Sequence, residues 1–296
     1  MPNNNTILVT GGAGYIGSVV CKLLVKEGYN IIVVDDLSKG HKKALSPEAK
    51  FYQCSTLDID AFKNVFKENK NIDAIMHFAA NIEVGESVKA PDKYFYNNVV
   101  GSLNTIDMAK KYGVKGFILS STAAVYGKPE KVPITEDSHL LPINPYGVSK
   151  LQVEQFLKYY YEAFGLKYSC LRYFNACGAY EDLGEDHNPE THLIPNIFKV
   201  TLIEKKPLNI FGSNYDTPDG TAIRDYIHVE DLATAHILAL KAILDNKISN
   251  EMFNIGSSSG YSVLEVVKTS EKIAGEEILH VLAPPRVGDP PRLIAD

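Results

Sequence analysis

The chain has 296 residues, 45% hydrophobic and 22% charged, enough to bury a sizeable core as one large or two modest domains. Its 30 basic and 36 acidic residues give a net charge of −6, which argues against a nucleic-acid surface. No apolar run approaches bilayer-spanning length. The polar residues 1–5 lead straight into an apolar strand without a signal-peptide layout, so no membrane partner and a cytoplasmic location are expected. The four cysteines, Cys21, Cys54, Cys170 and Cys177, form no CxxC pair and read as reduced, mostly buried thiols. His187 and His192 are the closest histidine pair, but they fall in a predicted loop with no third ligand in view, so no metal is expected.

In chain order, short apolar runs alternate with longer amphipathic ones. Residues 6–10 predict a strand and 15–27 a helix stopped by Gly28. A second buried-type strand is expected at 31–34 and a weaker one at 51–54. Then come a helix at about 58–68, a strand at 73–78 and a long helix from about 91 to 112. A strand at 116–121, a helix at 146–164 and a strand at 167–172 continue the pattern. Continuous apolar strands separated by helices imply a parallel sheet covered on both faces, so residues 1–178 read as one doubly wound α/β domain of Rossmann type.

Beyond Asn175 the composition changes. Residues 181–190 are acidic and polar and 213–220 are turn-rich, irregular stretches of the kind that carry function. Helices near 193–204, 229–244 and 262–274 surround short strands near 208–211 and 252–255. Residues 179–224 and 261–296 therefore read as a smaller α/β substrate lobe without a large sheet of its own, with about 225–260 returning to the first domain.

The segment Thr10-Gly11-Gly12-Ala13-Gly14-Tyr15-Ile16-Gly17 follows a strand and opens a helix. Gly12, Gly14 and Gly17 fit GxGxxG, while Gly11, Gly14 and Gly17 fit GxxGxxG. Glycines there permit a tight turn and close approach of a pyrophosphate, which the helix N-terminus attracts with free N–H groups and its dipole. Asp35 ends the second strand at the fingerprint's distance, where a carboxylate accepts from the adenosine ribose and repels a 2′-phosphate; this favours NAD. Asp36 competes for that ribose.

Asn144-Pro145 is a good N-cap and N1 pair, so Tyr146 and Lys150 should lie four apart on one helical face. A tyrosine is a weak base near neutral pH, and a nearby ammonium stabilises its phenolate. Such a pair can remove a proton from a hydroxyl while hydride leaves the same carbon. Thr122, at the end of the 116–121 strand, lies where open α/β sheets bind ligands and can hydrogen-bond the reacting hydroxyl.

The blocks TGGAGYIGS, MHFAA, SSTAAVYG, NPYGVSK, LRYFNACGA and RDYIHVEDLA together resemble the extended short-chain dehydrogenase/reductases, and within them the UDP-glucose 4-epimerases, from Thr6 to Asp296. The resemblance implies that Tyr146, with Thr122 assisting, takes the proton from the C4 hydroxyl of a UDP-sugar. Hydride passes to tightly held NAD, the 4-keto sugar turns over, and hydride returns to its other face. Lys150 would hold the nicotinamide ribose. Tyr15 and Ile16 would meet the pyrophosphate, and Phe78, Ala79, Ala80 and Asn97 would line the cofactor, with Tyr173 and Phe174 near the nicotinamide. Asn175, His192 and Leu193 would contact the UDP moiety and Phe211 would pack near uracil. Arg224 and Arg286 would clamp the diphosphate, and Asp289 would accept from the uridine ribose. Leu293 would form the hexose-pocket wall, where a residue smaller than an aromatic resembles members that also take N-acetylhexosamines.

Three departures stand out. Ser55-Thr56 replaces the Asp-Ile or Asp-Leu that the family often sets beside the adenine, Ile82 replaces a common lysine, and the chain stops at Asp296 where members continue for a few tens of residues. A truncated C-terminal lobe is expected from the last. A 4,6-dehydratase would need an acid and a base directly after Thr122; Ala123 and Ala124 stand there instead. A UDP-glucuronate-type 4-epimerase, and a non-catalytic NAD-binding protein, remain as alternatives. Helices near 97–111 and 151–164 resemble those of a homodimer interface in this family; the stripe Val153, Phe156, Leu157, Tyr160 suits that interface or the sheet.

Overall fold

The computed structural model describes residues 5–286 and 288–296; the polar residues 1–4 lie outside them. β-branched residues dominate β1 (Thr6–Thr10) and β2 (Asn30–Asp35), which flank α1 (Tyr15–Lys26). Next come β3 (Lys50–Gln53) and α2 (Ile59–Glu68), the latter capped by Asp58, whose Oδ1 accepts from the Ala61 amide at 3.1 Å. β4 (Ala74–His77) leads to α3 (Val84–Lys89), a helix that the apolar pattern did not announce. The long helix expected at 91–112 is three pieces: α4 (Pro91–Tyr94), a widened π-type stretch (Phe95–Val100) and α5 (Gly101–Lys111).

β5 (Gly116–Thr122), α6 (Pro145–Phe164) and β6 (Lys167–Tyr173) stand where the periodicity predicts them. Then follow β7 (Asn175–Cys177), α7 (Leu193–Phe198) with a second π-type stretch (Lys199–Glu204), and β8 (Leu208–Phe211). The chain continues through β9 (Ile223–His228), α8 (Val229–Leu244), β10 (Asn250–Ile255), β11 (Gly260–Ser262), α9 (Val263–Ala274), β12 (His280–Ala283) and β13 (Arg292–Leu293).

Seven parallel strands form the main sheet in the order β10-β6-β5-β4-β1-β2-β3. The order reverses between β1 and β4, which makes their carboxyl ends the expected binding crevice. Alternate strand residues serve opposite layers. Val9, Val33 and Met76 join α1 and α8 in one core, whereas Leu8, Ile32, Val34 and Ile75 join α2, α5 and α6 in another. Burial on both faces is why these strands read as unbroken apolar runs.

The smaller lobe has sheets that the apolar pattern missed. β9 pairs with β7 and β13 in parallel and with β11 antiparallel, and β8 pairs with β12. Most of these strands have two to four residues, too short to show a period. The Val153/Leu157 stripe belongs to the core: both side chains are fully buried, with Phe156 and Tyr160 packed against them. Tyr159 and Phe164 are the large apolar side chains that α6 exposes.

Candidate active site

A cleft of about 630 Å³ opens at the carboxyl ends of β1, β4 and β5. The glycine loop forms its floor, and the geometry separates the two fingerprint readings. Gly11, Gly14 and Gly17 line the cleft, whereas Gly12 is buried, where a Cβ would lie 2.8 Å from Val33 Cγ1. Gly11 has φ +73° and a Cβ there would sit 2.6 Å from the Ala79 amide; at Gly17 it would sit 2.2 Å from the Gly11 carbonyl. Gly14 meets only the Gly11 carbonyl, at 3.4 Å, so its bare face is turned to open space at the N-terminus of α1. A cradle that a side chain would fill, at a helix N-terminus, fits the pyrophosphate of a dinucleotide.

Tyr15, Ile16, Asp35, Ser55, Thr56, Phe78, Ala79, Ala80 and Asn97 all border this end of the cleft. Asp35 is buried. Its carboxylate accepts from the Ala13 amide at 3.0 Å and the Leu37 amide at 2.8 Å, so it shapes the loop while facing the cleft. Burial raises its pKa, against the two amide bonds. Asp36 borders the same space, and its carboxylate accepts from the Ser38 amide at 2.9 Å. The Ser55 hydroxyl accepts from the Leu57 amide at 3.2 Å, a local turn bond. Asn97 sits in the widened turn between α4 and α5, a distortion common at functional sites, and its amide donates to Asn98 Oδ1 at 2.9 Å.

Asn144 caps α6, with Oδ1 accepting from the Gly147 amide at 2.8 Å and Pro145 at the first turn. That start brings Tyr146 into the cleft beside Thr122, the last residue of β5. Burial pushes the Tyr146 phenol up to about 12, and the polar Thr122 side chain beside it opposes the rise. Lys150 is buried and does not itself line the cleft. Its ammonium donates to the Ser120 carbonyl at 2.7 Å, and burial pulls it down to about 8, against Glu154 and Cys170. Tyr173 and Phe174 follow from β6, and the Tyr173 hydroxyl hydrogen-bonds to His236.

The opposite wall comes from the smaller lobe. Asn175, His192, Phe211, Arg224, Arg286, Asp289 and Leu293 all border the cleft. Arg224 and Asp289 form an ion pair with each other. The Arg286 guanidinium stacks on the Phe211 ring at 4.4 Å and donates to the Thr191 carbonyl at 3.2 Å. Arg286 is exposed at the cleft rim, where its guanidinium can meet an anion. Leu293 pairs with Arg224 in register and packs near Phe174, at the Tyr146 end of the wall.

Leu193 is not brought to the cleft. It begins α7 and its side chain packs in the small-lobe core with Ile197, Leu208 and Val267. Conversely, Lys39, Glu83, Glu185 and Thr191 line the cleft without having been singled out, and His187, weighed only as a metal ligand, lines it too. The irregular composition of 181–190 was the available signal for Glu185 and His187. The loop reading that found no third ligand beside His187 and His192 is corrected by the fold, which turns Glu185 and Glu190 onto both rings.

Residues 7–256 match the NAD dependent epimerase/dehydratase family. A UDP-glucose 4-epimerase of Lactobacillus helveticus is 49% identical over 292 residues, covering 98% of this chain and 88% of that protein. The crystal structure of UDP-glucose 4-epimerase from Bifidobacterium longum in complex with NAD+ and UDP is 41% identical. It superposes with a TM-score of 0.94 over 99% of this chain and 90% of that one. The UDP-Glc/GlcNAc 4-epimerase of Campylobacter jejuni is 42% identical, with a TM-score of 0.84 over 99% of this chain and 91% of its own. With likeness running through both the glycine cradle and the small lobe that faces it, the chain belongs to the NAD dependent epimerase/dehydratase family.

Proposed function

We propose that this protein is an NAD-dependent isomerase that inverts C4 of a UDP-hexose, interconverting UDP-glucose and UDP-galactose. The observation that carries the reading is Thr122 and Tyr146 lining the same cleft as a dinucleotide cradle, with the Lys150 ammonium buried behind them on the Ser120 carbonyl. Gly11, Gly14 and Gly17 would hold the pyrophosphate, and Asp35 or Asp36 the adenosine ribose. When bound, NAD supplies a reversible hydride acceptor for C4. Acting as the phenolate, Tyr146 Oη would receive the C4 hydroxyl proton and, as the phenol so formed, return it, with Thr122 orienting that hydroxyl. Arg224 and Arg286 anchor the diphosphate while the sugar turns. Ala123 and Ala124 border the cleft as methyl groups, so the extra acid and base of a dehydratase have no counterpart there.

Leu293 forms the hexose-facing wall in this reading, and its modest size extends the range to N-acetylhexosamines. With Arg224 and Arg286 taken by the diphosphate, Lys39 is the remaining lysine or arginine among the described residues lining the cleft, and it pairs with Glu83 at 3.4 Å, which favours neutral hexoses over a uronic acid. The test is product analysis with UDP-glucose, UDP-N-acetylglucosamine, UDP-glucuronate and a dTDP-glucose control. Interconversion of UDP-glucose and UDP-galactose without added reductant is expected, and Tyr146→Phe should keep NAD while turnover falls by orders of magnitude. No exchange with intact cofactor refutes the reading.

A homodimer is proposed on the face carrying exposed Phe95, Tyr96 and Val100 with Tyr159 of α6. A sedimentation mass of two chains that falls to one in Tyr96→Glu/Tyr159→Glu is expected; an unchanged mass refutes that face. Four unpaired cysteines suit the reducing cytoplasm as its location.

A further inference from the structure

We propose that Glu185, His187, Glu190 and His192 form a site for a borderline divalent metal ion of the Zn2+ class, which fastens the 178–192 segment across the cleft. Among the described residues, this is the one place where three or more such side chains converge, their ligand atoms all within 4.8 Å of one another. Glu185 Oε1 lies 2.5 Å from His192 Nδ1 and 3.2 Å from His187 Nδ1. Glu190 oxygens lie 3.6 Å from His192 Nδ1 and 4.0 Å from His187 Nδ1. Ligands held at the usual Zn–N and Zn–O lengths around a tetrahedron stand about 3.4 Å apart, within this spread.

Three further observations point to a cation. Both carboxylate side chains are largely enclosed, 8% and 6% exposed, and among the described residues neither has a lysine or arginine partner; Glu190 Oε1 accepts from the Thr191 and His192 amides at 2.7 and 2.8 Å, which leaves Oε2 on the His187 side for an ion. His192 Nδ1 is shielded from solvent yet makes no well-angled hydrogen bond, despite its close contact with Glu185. Both imidazoles present the same ring nitrogen, Nδ1, to the shared space. Two imidazoles and two carboxylates suit Zn2+, Co2+ or Mn2+ better than an all-oxygen ion such as Mg2+.

The place explains what the ion would do. Around this cluster the segment is tied down on both sides. Tyr15 Oη donates to the Gly178 carbonyl at 2.7 Å, Lys22 and Lys26 pair with Glu181, and Lys39 donates to the Asn188 carbonyl at 3.0 Å. Glu185, His187 and His192 line the cleft that the segment borders. An ion joining its middle to the start of α7 holds the strap shut. The site stands independently of the function proposed above; only its effect on NAD exchange rests on that reading.

The experiment is titration of the chelator-treated protein with Co2+, then Zn2+. One equivalent should bind with the intense visible bands of four-coordinate Co2+, and Zn2+ should displace it. His187→Ala and Glu190→Gln should each weaken binding at least tenfold and abolish the Zn2+-induced rise in Tm. Holoenzyme with Zn2+ should release NAD more slowly than without it. Absence of stoichiometric Co2+ uptake by the unmodified protein overturns the proposal, whether or not the variants fold. Uptake unchanged in both variants overturns it equally, since the ion then sits elsewhere. If uptake holds and NAD release is unmoved, the clasp role is overturned.

Discussion

Tyr146 and Lys150 stand one helical turn apart, and spacing alone suggests an ammonium that lowers a phenol. Their burial moves both toward the neutral form, with Tyr146 up to about 12 and Lys150 down to about 8. Residue type and spacing were legible; the burial around them was not, because β5 and β6 supply it from elsewhere in the chain. A measurable consequence concerns Lys150. Its folded pKa of about 8 lies below the ordinary 10.5, so the folded state carries a penalty for the ammonium. The penalty is present in full below about pH 8 and vanishes as pH rises through 10.5. At pH 7 it is on the order of 3 kcal/mol, offset by about 1 kcal/mol from the bond to the Ser120 carbonyl. Lys150→Met should therefore raise Tm by several degrees at pH 7 while turnover collapses, and the gain should disappear above pH 10.5. Thermal melts at equal cofactor content decide this; a variant less stable than the parent at pH 7 rules it out.

α6 shows what local sequence does and does not reveal. Its start at Asn144-Pro145 and its stop at Gly165 are written in capping residues and were readable. The bulge that places Asn97 was not, since a six-residue π-type stretch is too short to show a period of its own. Nor was the load that α6 carries inward. Glu154 is buried and accepts from Arg172 Nη2 at 2.7 Å and from Ser121, the residue before Thr122, while Arg172 Nη1 donates to Tyr126 Oη at 2.8 Å. This network ties the helix bearing Tyr146 to the strands β5 and β6. Glu154→Leu strands a fully buried guanidinium and should cost about 3–5 kcal/mol in urea unfolding. The double variant Glu154→Leu/Arg172→Met should recover most of that, because an apolar pair carries no desolvation debt. A single variant that loses less than about 1 kcal/mol would show that the pair is not coupled.

The cleft has one wall from the seven-stranded sheet and one from the small lobe, so catalysis depends on how the two are joined. The joint is Asp225 on β9, fully buried; the RDYIHVEDLA block contains it without revealing its role. Its Oδ1 accepts from the Ser257 amide at 2.7 Å and the Ser257 hydroxyl at 2.8 Å. Its Oδ2 accepts from the amides of Ser258 and Ala295, both at 3.1 Å. Ser257 and Ser258 follow β10, the edge of the main sheet, while Ala295 follows β13, which carries Leu293. One carboxylate thus gathers the sheet edge, β9 and the C-terminal segment around the residue next to Arg224. The four donors need four acceptor positions, and a carboxylate supplies them; an amide supplies only two and turns an NH2 toward two N–H groups. Asp225→Asn should cost about 2–4 kcal/mol for donors left unsatisfied in a buried place. Because the glycine cradle lies across the sheet from this joint, bound NAD should be retained. The wall holding Arg224, Asp289 and Leu293 loosens instead, so KM for the UDP-sugar should rise by tenfold or more, with a smaller fall in kcat. Steady-state kinetics alongside the NAD content of the purified variant separate these effects. Loss of NAD with an unchanged KM would place the joint's influence on the cofactor side and refute the coupling argued from Asp225.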